Sequence, residues 1–161
     1  MSQHVFSPGQ NASLSPQAWY DQLAGADGFF HDPAQAQAIA HLETLYQQLL
    51  LFKRKRGRFL GKSLRSPDVP RGLYFWGGVG RGKSMLMDML MQATPIAEKR
   101  RVHFHEFMQE IQAALEGVRK SGQQDAVRPV ALAVAQQVRL LCFDEMQITD
   151  IADAMIVGRL F

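Results

Sequence analysis

Residues 73–84 read LYFWGGVGRGKS. Leu73 to Trp76 form a short apolar and aromatic run of the kind that makes a strand buried on both faces. Gly77, Gly78, Val79, Gly80, Arg81, Gly82, Lys83 and Ser84 follow and fit G-x-x-x-x-G-K-[ST]. The glycines let the backbone curl with its N–H groups turned inward, and a helix opening at the end of the loop adds partial positive charge for phosphates. Lys83 is then placed for the β- and γ-phosphates of a nucleotide, and the Ser84 hydroxyl for Mg²⁺. The sequence after the loop supplies the helix, with Met85, Met87, Met89 and Met91 distributed all round it, which predicts a buried helix. A glycine-rich turn with a chance Lys-Ser is the plain alternative, and the flanking strand and helix argue against it.

A phosphate loop needs an acidic partner, and Arg139 to Glu145, RLLCFDE, provides one. An apolar strand would deliver Asp144 at its C-terminal edge, where α/β sheets place ligands and where a carboxylate can hold the metal through water. Glu145 is the candidate to polarise an attacking water, which would turn ATP binding into hydrolysis. Between loop and acidic pair, RVHFHEF predicts a second strand from about Arg101, followed by a helix through Glu110, Leu115 and Val118. A short helix from Pro129 to about Gln137 comes next, and IADAMIVGRLF starts another after the acidic pair. Strands alternating with helices predict an α/β fold, a P-loop NTPase with a parallel sheet flanked by helices.

Upstream, Asp32-Pro33-Ala34-Gln35 has an N-cap Asp, Pro at the first helical position and Gln three residues after the cap, a capping-box arrangement. Ile39, Leu42, Leu45 or Tyr46, Leu49 and Phe52 then make one apolar helical stripe. The helix runs into Lys53, Arg54, Lys55, Arg56 and Arg58, a basic segment that leads through Gly, Ser and Pro to Pro70. The expected organisation is a flexible arm over 1–31 with an amphipathic piece around Trp19, Tyr20 and Leu23, a capped helix with basic linker over 32–70, and an incomplete P-loop NTPase domain over 71–161.

Composition restricts the class. The 161 residues are 47% apolar and 20% charged, an ordinary globular balance that needs no staple to build a core. The lone Cys142 cannot form an internal disulfide or a thiolate-rich zinc site and points to a reducing compartment. MSQHVFSPGQNASLSPQ has neither the basic start nor the apolar core of a signal peptide, and no apolar run approaches the roughly 20 residues that span a bilayer. A cytoplasmic location is the expectation. Eighteen Lys and Arg against fifteen Asp and Glu leave a formal charge of +3, too mild to require nucleic acid. His103 and His105 would share one strand face, but without a third ligand they read as ordinary hydrogen-bonding groups.

Three blocks, PRGLYFWGGVGRGKSMLMDML, KRRVHFHEFM and RLLCFDEMQITDIADAM, together resemble the ZapE-type cell-division ATPases, the bacterial branch of the AFG-like, or lactation-elevated-like, ATPases. The DPAQAQAIAHLETLY helix is similar too, so the likeness runs from about residue 14 to the end. It implies an AAA-like, Mg²⁺-dependent ATPase that associates with the division ring at the inner membrane and lowers the stability of FtsZ polymers. It places the family's phosphate-loop lysine on Lys83, its metal-coordinating hydroxyl on Ser84 and its acidic pair on Asp144 and Glu145, with Met146 where Phe is usual. It leaves open a homo-oligomer of the full-length form. Family members continue past the DIADAM helix to a polar sensor strand and an arginine finger, so the chain is expected to be their N-terminal part, truncated after the acidic-pair strand and the helix behind it. Alternative functions are a non-hydrolysing nucleotide- or partner-binding fragment, a helicase-loader-like ATPase using the basic linker on DNA, and a small P-loop kinase, for which the loop would lie nearer the start.

Overall fold

The computed structural model describes residues 14–26, 32–57, 68–123 and 125–161. The chain divides into two compact units, Met1–Pro95 and Ile96–Phe161. The first is helical. Its α1, Pro16–Ala24, is opened by the Ser15 side chain, which accepts from the Ala18 N–H, and by Pro at the first turn. Trp19 and Tyr20, in the amphipathic piece that the sequence marks, are buried by this helix. A second helix, α2, spans Pro33–Gly57. Asp32 caps it as expected, its Oδ1 accepting from the Ala34 N–H at 2.9 Å. The predicted stripe faces inward: Ile39, Leu42, Leu45 and Leu49 are buried, while Tyr46 and Phe52 lie at its border. Lys53, Arg54 and Lys55 are exposed on the last turns, and Arg58 falls outside the described residues.

The third helix, α3, spans Lys83–Ala93. It packs on α1 and α2 through Leu86, Met89, Leu90 and Ala93. Of its four methionines only Met89 is fully buried; the helix is therefore covered on one side, where the all-round methionine pattern predicted burial throughout. Methionine tolerates both sides of such a boundary because its thioether is only weakly polar.

The predicted strand at Leu73–Trp76 is absent. These residues carry no regular structure, and Leu73, Tyr74 and Trp76 are exposed, Trp76 at 87%. A strand exists only through hydrogen bonds to a neighbour, and among the described residues the only ladder is elsewhere, between two strands of the second unit. The parallel sheet expected with three strands thus has two among the described residues.

In that unit β1, Lys99–His103, pairs in parallel with β2, Leu140–Asp144. The register sets Arg101 opposite Cys142 and His103 opposite Asp144. Between them run α4, Phe104–Lys120, and α5, Val127–Gln137, and α6, Ile151–Leu160, follows β2. Parallel pairing needs such a helical crossover. The unit is α/β, with a small sheet flanked by helices. Its core joins Val102 to Phe104, Phe107, Met108, Ile111 and Leu115 of α4 and to Val127 and Val130 of α5. Phe143 stands edge-on to Phe107 and Phe104, with centroids 4.9 and 5.5 Å away, a favoured aromatic geometry. This packing fixes the end of β2, and with it Asp144.

RVHFHEF turns over earlier than its apolar run suggests. The strand stops at His103 and α4 begins at Phe104, because Phe104, Phe107, Met108 and Ile111 follow a helical spacing that buries one face. His103 and His105 therefore do not share a strand face; His105 lies in the first turn of α4, its Nε2 3.0 Å from Gln109 Nε2. Among the described residues no group of three His, Cys, Asp or Glu could hold a metal. Cys142 is buried, and burial pushes its thiol up to about 11, so it stays protonated and serves as a core residue. Among the described residues no helix is long and apolar enough to cross a membrane.

Candidate functional site

The glycine loop lies in the first unit and the acidic pair in the second; each has its own local geometry. In the loop, Gly77 has φ +146°, and Gly80 and Gly82 have φ +79°. Side-chain-bearing residues rarely adopt these values, which explains glycine at all three positions. A Cβ built on Gly77, Gly78 or Gly80 would meet nothing within 4 Å, so no other part of the described chain crowds the loop on those sides. Gly82 forms the turn into α3, its carbonyl accepting from the Leu86 N–H at 3.0 Å. Lys83 and Ser84 thus occupy the first turn of that helix, the end with unpaired N–H groups and partial positive charge.

Lys83 folds back over the loop. Its Nζ donates to the carbonyls of Gly77 at 2.8 Å and Gly78 at 2.7 Å, which holds the ammonium against the first two glycines of the loop. Both acceptors are neutral, so a phosphate oxygen with full charge would compete well for the same donors. Ser84 is exposed, and Val79 stands fully exposed at the loop tip. Arg81 turns away from the loop. Its Nη2 lies 2.8 Å and its Nε 3.1 Å from Asp32 Oδ2 at the start of α2.

Gln35, expected to complete a capping box, reaches the loop: its Nε2 donates to the Arg81 carbonyl at 3.0 Å. The start of α2 therefore clasps the loop by two side chains. Sequence spacing could place Asp32 and Gln35 on a helix start, but not show that a segment more than forty positions away would take their hydrogen bonds. A Cβ on Gly82 would lie 2.7 Å from Gln35 Nε2 and would have to adopt φ +79°. Gly82→Ala is therefore expected to lose about 1–2 kcal/mol of stability from the left-handed backbone. Denaturant unfolding should show this as a lower midpoint at unchanged slope, and an unchanged midpoint would contradict the geometry.

In the second unit β2 ends at Asp144, as the sequence predicts. Arg101, on the adjacent strand, grips this carboxylate with two contacts: Nε to Oδ2 at 2.6 Å and Nη2 to Oδ1 at 2.9 Å. These hydrogen bonds hold the Asp144 carboxyl below the usual carboxylate range, against the opposing effect of its partial burial. Asp144 is thus a carboxylate at neutral pH and can accept from metal-bound water. Its hard oxygen is of the donor type that suits Mg²⁺; in the first unit the Ser84 hydroxyl is another oxygen of that type. Glu145 comes next, exposed and at φ +51°, the one non-glycine residue with positive φ among those described. Such a conformation is uncommon for Glu and marks a candidate functional position. Sequence reasoning missed Arg101, because strand register alone brings it beside Asp144.

The AFG1-like ATPase family matches residues 14–161. The chain is similar to the cell division protein ZapE of Escherichia coli K12, 35% identical over 159 residues that cover 92% of this chain and 42% of that protein. It is also similar to lactation elevated protein 1 homolog B of Danio rerio, 39% identical over 104 residues that cover 59% of this chain and 21% of the relative. An uncharacterized protein of Schizosaccharomyces pombe is 37% identical over 115 residues, 69% of this chain and 25% of its own length. The chain thus spans less than half the length of these curated relatives. No solved structure matches it.

Proposed function

The chain belongs to the AFG1-like ATPase family, and from that premise we propose that it binds ATP on the loop Gly77 to Ser84 and hydrolyses it with Mg²⁺. The observation that carries the reading is Lys83, held above an open glycine loop at the start of α3. On binding, Lys83 exchanges the Gly77 and Gly78 carbonyls for the β- and γ-phosphate oxygens. Loop N–H groups and the α3 N-terminus take up the remaining negative charge. Ser84 and Asp144 would hold Mg²⁺, which would supply positive charge to neutralise the phosphates. Glu145 accepts a proton from the attacking water, whose oxygen bonds to the γ-phosphorus as the bond to the β–γ bridging oxygen breaks and ADP leaves with that oxygen.

We infer further that the cycle remodels a protein partner, with FtsZ polymers as the first candidate. The support is the likeness of the three sequence blocks to the ZapE-type ATPases and the similarity to a relative named as a cell division protein. The test is to incubate the chain with FtsZ polymers and ATP, following phosphate release and pelleted polymer in the same samples. Phosphate release with a smaller pellet supports the reading. Phosphate release with an unchanged pellet removes FtsZ and keeps the ATPase; no release removes hydrolysis.

A further inference from the structure

We propose that Arg101 is the positioning residue for Asp144, orienting its carboxylate to receive the magnesium of a bound nucleotide through water; this rests on the ATP-site reading above. Arg101 sits in β1 opposite Cys142, two residues before His103, which faces Asp144. Its guanidinium therefore reaches diagonally along the ladder, a span that only a long side chain covers. It meets both carboxylate oxygens, at 2.6 and 2.9 Å, and the two side chains are 28% and 17% exposed.

Two consequences follow from this fork. Paired contacts in one plane stop the carboxylate from rotating, which a single contact would not. A carboxylate has about four acceptor sites, so one contact per oxygen leaves a second site on each for another donor. The charge of Arg101 also offsets that of Asp144. A cation is then drawn less strongly into direct contact, and Asp144 acts on it as an acceptor of hydrogen bonds from its bound water, a shell that Mg²⁺ gives up reluctantly. Lysine would supply the charge without the fork.

A purely structural ion pair between β1 and β2 makes a different prediction, so the two can be separated. The experiment titrates a fluorescent ATP analogue into the full chain with Mg²⁺ and with EDTA. It compares wild type, Arg101→Gln, Arg101→Lys, Asp144→Asn and the Arg101→Gln/Asp144→Asn pair, each checked by circular dichroism for the native helix content. Mg²⁺ should tighten binding to wild type. Both Arg101 variants should lose about 10-fold or more of that tightening, the usual size for a residue that orients a metal ligand, while the EDTA affinity stays the same. Arg101→Gln should add no further loss in the Asp144→Asn background, since it acts only through that carboxylate.

Full Mg²⁺ tightening in folded Arg101→Lys or Arg101→Gln would overturn the proposal and leave the ATP site standing. Additive losses in the pair would also overturn it. No binding of the analogue to wild type would remove the ATP site itself, and this role with it.

Discussion

Lys83→Ala should lower the affinity for ATP by about 100-fold or more, the largest effect expected of any single change in the first unit. Two charge-assisted hydrogen bonds to phosphate oxygens are each worth about 1.5–3 kcal/mol, and about 1.4 kcal/mol is tenfold in affinity. The alanine removes both and leaves the phosphates facing N–H groups alone. It also frees the Gly77 and Gly78 carbonyls that Lys83 now holds, so the loop loses its internal clasp. The fold should survive, because α3 is anchored by Leu86, Met89, Leu90 and Ala93 on its other side. Titration with a fluorescent ATP analogue reads the change directly. Undiminished binding by a folded Lys83→Ala chain would sink the assignment of the loop.

Glu145→Gln should separate binding from turnover. The amide keeps the size and hydrogen-bonding reach of the carboxylate but cannot accept the proton of an attacking water. ATP affinity should therefore stay within about threefold, since Glu145 makes no contact with the phosphate loop in the reading proposed here, while phosphate release falls by about 10²–10⁴-fold, the range for loss of a general base. The exposed φ +51° position tolerates the swap, which leaves the backbone demand unchanged. Turnover equal to wild type would show that another group activates the water. Equal and undetectable turnover in both chains would favour nucleotide binding without hydrolysis.

Local signals were legible in the sequence. The Asp32 cap, the Ile39 to Leu49 stripe, the glycine loop before α3 and the apolar strand ending at Asp144 all rest on neighbours within a few residues, and the structure places each as read. The failures depend on partners distant in sequence. LYFW has the composition of a buried strand, yet composition cannot supply the neighbour whose hydrogen bonds would make it one. Gln35 has the spacing of a capping box, in which its side-chain oxygen would accept from the Asp32 N–H, but its side chain reaches the loop and donates Nε2 to the Arg81 carbonyl. HFHEF is apolar enough for a strand, and it is the helical spacing of Phe104, Phe107 and Ile111 against the unit's core that decides for α4.

The site shows the same division. The motif named Lys83, Ser84, Asp144 and Glu145 because phosphate chemistry demands those side chains next to glycines or at a strand end. It could not name Arg101, Asp32 or Gln35. Those residues act through strand register and a helix start, and nothing in their own surroundings in the sequence points to the distant groups they contact.

If the glycine loop holds the phosphates of a nucleoside triphosphate, affinity should depend on how many phosphates the nucleotide carries. Calorimetric titration of the chain with ATP, ADP and AMP in Mg²⁺ buffer tests it most directly. Saturable binding of ATP and ADP at one nucleotide per chain is expected, with at least about 10-fold weaker binding of AMP, which lacks the phosphates that Lys83 would contact. AMP binding as tightly as ATP, or no heat with any of the three, would contradict it.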